Sequence, residues 1–266
     1  MIFDIDISGS RPAGLTPAGA LSTISPMPAN PLSPLKAISS MATRAILADL
    51  CATYAAQSGQ AVEVTSVGGV DAAKRVQAGE PFDLILLASD AIDKLLASGH
   101  ALAASRGDWV DSPIAVAVPA SAAVPDLRDE AAVRAAVSAA PTLSYSTGPS
   151  GQYLEKRFAQ WGLLETLRPR IVVPPPGTPV GQLVASGQVA LGFQQRSELI
   201  SVPGLTVVGD LPADMAYITT FSSALGNALA SDPERQAAAR AFQQFLSHPQ
   251  TRETKRQHGM DWSASH

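Results

Sequence analysis

Strand-like and helix-like segments alternate along the chain from Leu35 onward, and this alternation constrains the fold more than any other feature. Residues 83–88 read D-L-I-L-L-A, a continuous apolar run typical of a strand in a parallel sheet covered on both faces. Residues 43–57 instead carry apolar side chains at helical spacing. Strands that alternate with helices predict an α/β fold with mostly parallel sheets flanked by helices.

Composition excludes several classes of function. The 266 residues are 46% hydrophobic and carry a net charge of −4, which gives no basic surface for nucleic acid. The single cysteine, Cys51, rules out an internal disulfide framework, and the four histidines show no metal-binding spacing. No apolar run approaches the roughly 20 residues that cross a bilayer. We therefore expect no metal, no cofactor, no nucleic-acid partner and no membrane span.

The first part of the chain differs from the rest. Residues 1–34 are rich in Pro, Gly, Ser and Ala, which predicts a poorly ordered leader. The start, M-I-F-D-I-D, is acidic where a secretory signal needs positive charge, and Pro17 interrupts the mildly apolar stretch after it. This favours a cytoplasmic location. Further along, Pro119 and Pro125 mark a boundary after which a second set of strands and helices begins.

Small polar residues follow the predicted strands. Ligands of open α/β sheets bind beyond the carboxyl ends of the strands, near helix N-termini. These turns carry few charges, and their hydroxyl and N–H donors suit an anion. Arg44 lies one helical turn beyond the first of them and could clamp a carboxylate. The predicted ligand-binding residues are Ser39, Ser40, Arg44, Gly68, Gly69, Val70, Ser146, Thr147, Ser150, Gly151, Gln194 and Gln195.

Each of these residues also has a purely structural interpretation. Ser40 and Ser150 could cap the helices that follow them, which is worth about 1 kcal/mol. Gln194 and Gln195 could form a surface turn after a buried strand. Two other side chains favour structural roles: Tyr153 as a core residue of its helix, and Glu198 as a hydrogen-bond partner of the turn at residues 194–196.

Five segments together carry a resemblance to a known family. They are residues 35–44, 65–80 (T-S-V-G-G-V-D-A-A-K-R-V-Q-A-G-E), 82–89, 149–153 (P-S-G-Q-Y) and 187–199 (G-Q-V-A-L-G-F-Q-Q-R-S-E-L). With them, residues 35–262 resemble the type II periplasmic-binding-protein fold, in its molybdate-binding-protein-like branch. The resemblance implies two lobes joined by two crossings, with one ligand in the cleft. Lobe I would comprise residues 35–119 plus 215–266, and lobe II residues 120–214.

The same resemblance bears on the ligand. In oxyanion-binding members, hydroxyls after the first strand and a serine after the second hold the ligand. Ser39 and Ser40 match the first position, but Gly69 and Val70 stand at the second. The tetrapeptide G-F-Q-Q at residues 192–195 replaces the family's tyrosine-containing G-x-x-Y. Both departures count against molybdate. The segment F-Q-Q-R-S-E-L instead resembles a sub-branch that contains aconitate isomerase, which moves a double bond within a small tricarboxylate.

These observations leave three functional hypotheses. The first is an isomerase that binds a small polycarboxylate in the cleft and shifts its double bond without a cofactor; no residue is identified as its base. The alternative is a non-catalytic solute-binding protein of an ABC transporter, for molybdate or another small anion. That protein would be periplasmic, with an ABC permease as its partner. The third is a cytoplasmic ligand sensor, although residues 1–34 are too short and too proline-rich for a helix-turn-helix.

Overall fold

A computed structural model describes residues 33–175 and 178–263 of the protein, so nearly all of the predicted leader lies outside the described residues. Within them the strands are Leu35–Ser40 (β1), Val62–Val67 (β2), Leu84–Ala88 (β3), Gly107–Pro119 (β4), Leu143–Tyr145 (β5), Leu191–Gln195 (β6), Leu205–Asp210 (β7) and Ile218–Leu225 (β8). The helices are Arg44–Ser58 (α1), Gly69–Gln77 (α2), Ser89–Ala97 (α3), Glu130–Ala139 (α4), Pro149–Gln160 (α5), Leu164–Leu167 (α6), Val180–Ala185 (α7), Arg196–Leu199 (α8), Pro233–Ser247 (α9) and Arg252–Gln257 (α10). None of the helices in these ranges combines the length and apolar character that a bilayer crossing requires.

The strands form one mixed sheet in the order β2-β1-β3-β8-β4-β6-β5, with β7 also paired to β4. The pairs β1–β2, β1–β3 and β5–β6 are parallel. The pairs that involve β8 or β4 are antiparallel. The α/β class is confirmed, but the expectation of mostly parallel strands is wrong at β4 and β8. A continuous apolar run indicates that a strand is buried on both faces, but it does not indicate the direction of the strand. The sequence therefore could not reveal which strand pairs are antiparallel.

Strand β4 passes between two halves of the sheet. From Gly107 to Pro113 it pairs with β8, and from Ile114 onward it pairs with β6 and β7. A second crossing, residues 211–217, leads from β7 back to β8. We propose that these halves are the two lobes. The sequence placed the first boundary at residue 119, where prolines end β4, whereas the strand changes partners six residues earlier.

Helices cover both faces of each half and create separate cores. In the first half, Tyr54 of α1 packs against Phe242 and Phe245 of α9, with ring centroids 5.0 and 5.1 Å apart. Helices α2 and α3 cover the opposite face. In the second half, Phe158 of α5 packs against Phe193 of β6, while α7 and α8 cover the other face. This double coverage explains why β3 consists only of apolar residues and why β6 has polar side chains only at its last two positions.

The ends of the helices show which residues begin and end them. Gly59 ends α1 with φ of 75°, a left-handed conformation that glycine adopts without strain. Asp129 caps α4 by accepting a hydrogen bond from the Ala132 N–H. Asp71 lies inside the first turn of α2 and does not cap it, because Gly68 is the N-cap. Ser150 is likewise no cap, since α5 already begins at Pro149, whose fixed φ suits the first helical position.

Candidate functional site

The carboxyl ends of β1 and β2 bring three predicted site residues together. Ser40, the last residue of β1, pairs with Val67 at the end of β2. Gly68 and Gly69 follow directly, as the N-cap and the first residue of α2. A Cβ atom built on Gly69 would lie 3.8 Å from the Ser40 Cβ, so the α2 N-terminus lies beside this serine. This edge of the sheet therefore presents a hydroxyl and the free N–H groups of a helix end.

The two adjacent serines of β1 differ in what they contact. The Ser39 hydroxyl is fully buried and lies 2.7 Å from the hydroxyl of Ser66, so it links β1 to β2. The Ser40 hydroxyl is also buried but has no hydrogen-bond partner. Although Ser40 is the N-cap of the 3-10 turn Met41–Thr43, its side chain makes no capping bond. Ser40 is thus the available donor of the pair, and Ser39 holds the strand beneath it.

Arg44 and Val70 stand at the rim of this edge. Arg44 is the first residue of α1 and is exposed. Its guanidinium makes no hydrogen bond or ion pair with any described residue. A cation without an internal partner is free to meet an anionic group at the rim. Val70 is 52% exposed, and its side chain can offer a ligand only apolar contact.

The second edge lies where β5 leads into α5. The hydroxyls of Ser146 and Ser150 are 2.8 Å apart. Gly151 is buried directly behind them, and a Cβ atom at this position would lie 1.6 Å from the Ser146 carbonyl oxygen. Only glycine allows this approach. Thr147 is exposed at the same turn. The predicted residues of this turn therefore do lie together, at the N-terminus of a 12-residue helix.

Gln194 and Gln195 are the last residues of β6, where the sequence predicted a turn. The strand continues two residues further because Gln194 and Gln195 pair with Ala115 and Ile114 of β4, and both side-chain amides also find partners inside the protein. The Gln194 Oε1 accepts from the Gly181 N–H at 2.9 Å, and its Nε2 donates to Glu198 at 2.8 Å. The predicted hydrogen-bonding role of Glu198 is confirmed by this contact.

Gln195 connects β6 to both crossings. Its amide satisfies both of its ends when the oxygen accepts from the Thr219 hydroxyl at 2.7 Å and the nitrogen donates to the Ser112 carbonyl at 3.0 Å. Ser112 precedes the point where β4 changes partners, and Thr219 is the second residue of β8, directly after the second crossing. Gln195 therefore fixes the place where the two halves join.

Glu198 is the titratable group of this region with the largest perturbation. It keeps some solvent exposure, yet burial of its carboxyl raises its pKa to about 7, against a smaller lowering by the hydrogen bond from Gln194. It lies in α8, which begins directly after β6. Helix α8 packs against the turn Met41–Thr43, which follows Ser40. The two halves therefore meet next to the first edge of the site.

Two stacked tyrosines were not anticipated as site residues. Tyr153 of α5 and Tyr217 of the second crossing have ring centroids 4.6 Å apart. The Tyr153 hydroxyl donates to the Met215 carbonyl at 2.9 Å, which supports its predicted packing role. Burial and the nearby negative charge of Asp90 raise the pKa of Tyr217. Asp90 lies in the first turn of α3, and the hydroxyl of Ser89, which begins this helix, donates to the Thr220 carbonyl at 2.8 Å, so the α3 N-terminus lies beside the start of β8. The sequence signal for this region is the polar pair Ser89 and Asp90, which directly follows the apolar strand β3.

Surface depressions elsewhere do not fit an anion site. One is lined by Ser33, Gln60 and Arg235, and another by Lys36, Glu63 and Glu80. Both lie at the amino-terminal ends of β1 and β2, opposite the candidate site. Arg235 is already paired with Asp83 at 2.6 Å. Among the described residues, no group of three or more His, Cys, Asp or Glu side chains could hold a metal ion.

Comparison with known proteins identifies relatives in sequence. Residues 35–261 match the model of a family described as bacterial extracellular solute-binding protein. An aconitate isomerase from Pseudomonas sp. is 37% identical over 176 residues. That alignment covers 65% of this chain and 64% of the relative, so it spans less than two thirds of the relative's length.

Solved structures resemble the fold at lower identity. The periplasmic molybdate-binding protein of Azotobacter vinelandii superposes with a TM-score of 0.69 at 22% identity, over 87% of this chain and 100% of that one. The tungstate-binding protein TupA of Desulfovibrio alaskensis gives 0.62 at 18%, over 88% and 100%. Peb3 of Campylobacter jejuni with bound L-phospholactate gives 0.65 at 15%, over 85% and 99%. At these identities the likeness establishes the two-lobed α/β fold and nothing finer.

Proposed function

Because this chain belongs to the bacterial extracellular solute-binding protein family, we propose that it binds a small polycarboxylate between its two halves and isomerises it by shifting a double bond. The 37% identity to an aconitate isomerase is the observation that carries this proposal. The fold supplies the binding site, while that relative suggests that binding leads to chemistry. Because the alignment covers only part of the relative, activity and substrate both need a direct test.

The donors at the two edges support a carboxylate ligand. The free hydroxyl of Ser40, the paired hydroxyls of Ser146 and Ser150, and the N-termini of α2 and α5 are uncharged donors. Such donors bind an anion without an ion pair. Arg44 adds one unpaired cation at the rim. A ligand with several carboxylates can use both kinds of donor, whereas a compact oxyanion bound among the hydroxyls would not need the rim.

The reaction itself is a 1,3-proton shift. A base removes a proton from the saturated carbon next to the double bond, and the electron pair spreads over the allylic carbons and the adjacent carboxylate. A proton then returns at the far carbon, and the double bond has moved; atoms and charge balance. Donors aimed at the carboxylate stabilise the charge that develops on its oxygens. The hydroxyls and N–H groups of the two edges would serve this purpose.

Glu198 is the residue that we propose as the proton carrier. A carboxyl with a pKa of about 7 is present in both protonation states at neutral pH, as efficient acid-base catalysis requires. Its helix, α8, packs against the turn that follows Ser40. On this proposal, Gln194 orients the carboxyl through the hydrogen bond to Oε1.

A non-catalytic solute-binding protein remains the second candidate. The family description and the molybdate- and tungstate-binding structures favour it. Cleft closure on the ligand would then be the functional event, with an ABC permease as the partner. This candidate requires a location outside the cytoplasm, contrary to the sequence prediction, and the leader that bears on this lies outside the described residues.

Two measurements separate the candidates. The purified protein is incubated with cis- or trans-aconitate, and the ultraviolet absorbance is followed with time. A protein-dependent approach to the cis/trans equilibrium supports the isomerase. A thermal-shift screen in parallel compares tricarboxylates with molybdate and tungstate. Stabilisation by the metal oxyanions alone, without any conversion of aconitate, would reject the isomerase in favour of the binding protein.

A further inference from the structure

Ser197, in the first turn of α8, is buried without a hydrogen-bond partner. Its side chain is 6% exposed, and no described group lies within hydrogen-bonding reach of its hydroxyl. Its neighbours along the chain are well connected, since Arg196 pairs with Asp210 and Glu198 accepts from Gln194. The unmet hydroxyl is therefore not a sign of a loosely packed segment.

Ser40 also has a buried hydroxyl without a hydrogen-bond partner, and this residue is 7% exposed. Among the described residues, Ser40 and Ser197 are the two serines whose buried hydroxyls have no partner. They come from different halves of the sheet. Ser40 immediately precedes the turn Met41–Thr43, and α8 packs against that same turn. The two unmet donors thus lie on either side of one contact between the halves.

An unpartnered buried hydroxyl is costly, and native proteins retain few of them without an ordered water or a ligand to meet them. Other buried serines of the protein show the usual arrangement: Ser105 donates to the Leu102 carbonyl at 2.6 Å, and Ser112 accepts from Gln195. Two unmet hydroxyls at the same junction point to a shared external acceptor. A carboxylate offers two such oxygens and can accept one hydrogen bond from each serine.

We infer that Ser197 is a ligand-binding residue of the second half, which donates to the same carboxylate as Ser40. The bound anion would then bridge α8 and the Met41–Thr43 turn, and its binding would hold the halves together. This inference rests on the proposed anion-binding function, but it does not depend on whether the ligand is isomerised. It also explains why Gln194 and Gln195, with both amides engaged, need not be the contacts from this part of the chain.

The test uses propane-1,2,3-tricarboxylate, a saturated analogue that cannot be isomerised, with affinity measured by calorimetry. For Ser197→Ala and Ser40→Ala we expect at least tenfold weaker binding, in line with the loss of one hydrogen bond to a charged group. The melting temperature of each ligand-free variant should stay the same or rise, because the hydroxyl had no partner. Ser105→Ala is the matched control: its melting temperature should fall while its affinity is unchanged.

Three other outcomes would each contradict part of the proposal. If Ser40→Ala weakens binding and Ser197→Ala does not, the Ser197 assignment is wrong and the first edge of the site stands. If Ser197→Ala lowers the melting temperature without changing affinity, the hydroxyl is met by internal water and the inference fails. If the unaltered protein binds molybdate but no tricarboxylate, the proposed substrate class is rejected. Measuring the molybdate affinity of Ser40→Ala and Ser197→Ala would then show whether Ser197 contacts the anion, independently of the substrate class.

Discussion

Ser39 and Ser40 are neighbours in β1 but have different roles, and the geometry of the strand explains the difference. Successive side chains of β1 point to opposite faces of the sheet. Ser39 therefore faces Ser66 of β2, whereas Ser40 ends the strand beside Gly69. The chemistry of the site depends on such single positions, and we expect their effects to be separable by substitution.

At this scale, Glu198 predicts a pH dependence of stability. Its pKa is about 7 in the folded protein and near 4.5 when unfolded. Between those values the folded state binds more protons, so the free energy of unfolding falls as pH rises from 4.5 to 7. Above pH 7 the folded protein bears the full free-energy penalty of ionising this buried carboxyl. Glu198→Gln should remove it and stabilise the protein by about 1–3 kcal/mol at pH 8.

Denaturant unfolding at pH 5, 6, 7 and 8 measures this effect. Glu165→Gln is the control: this exposed carboxyl is paired with Arg168, which lowers its pKa below the same window. Its substitution should leave the profile between pH 5 and 8 unchanged. If Glu198→Gln and the unaltered protein have parallel profiles, the raised pKa, and with it the proposed proton carrier, is refuted.

Gly151 gives a second prediction at the same scale. In Gly151→Ala the new methyl group would lie 1.6 Å from the Ser146 carbonyl oxygen, so the turn or α5 must move. We expect a destabilisation of about 2 kcal/mol or more, together with weaker anion binding. Gly148→Ala in the same turn is the control, because its Cβ meets no atom within 4 Å. Equal melting temperatures for the two variants would contradict the close approach.

At the scale of elements, the sequence predicted the alternation of strands and helices, since periodicity indicates which faces are buried. It missed β7, in which every residue is only partly buried, so that the expected alternation is absent. The apolar residues 171–173 form only an isolated bridge, from Ile171 to Leu143. Ser150 was a candidate cap, but Pro149 takes the first position of α5.

The buried lysine that holds α10 in place leads to a prediction about how stability depends on pH. Lys255 of α10 is buried and donates to the carbonyls of Trp109 and Leu246, at 2.5 and 2.7 Å. Its pKa is lowered to about 8, mainly by burial and to a smaller extent by the charge of Arg252, against a raising effect of Asp111. Because the unfolded state binds the proton more tightly, stability should increase as pH rises from 8 to 10.5.

The comparison is between unfolding profiles from pH 7.5 to 10.5. Lys255→Met should flatten the profile relative to the unaltered protein, because it removes the group that titrates. Lys94→Met, at a side chain that is 76% exposed, should not change the slope. A Lys255→Met profile with the full slope would show that other groups cause the pH dependence.

At the scale of the whole molecule, the site depends on contacts that the sequence could not reveal. The predicted turns could be assigned to strand ends, but periodicity carries no information on which ends meet across the two halves. Gln195 joins β6 to both crossings. Arg196 connects the halves further by donating to the Gly259 carbonyl at 2.9 Å, while its ion pair with Asp210, 2.8 Å away, holds it to β7 of its own half. The perturbed pKa of Glu198 and the unmet hydroxyl of Ser197 likewise arise only from tertiary packing.

We propose that a small polycarboxylate binds between the carboxyl end of β1 and the carboxyl end of β5. A crystal structure of the protein with propane-1,2,3-tricarboxylate tests it most directly. We expect the ligand to contact the Ser40 hydroxyl and the N-terminus of α5, with Arg44 near one of its carboxylates. A ligand bound instead at the amino-terminal ends of β1 and β2, beside Lys36 or Arg235, would contradict the account.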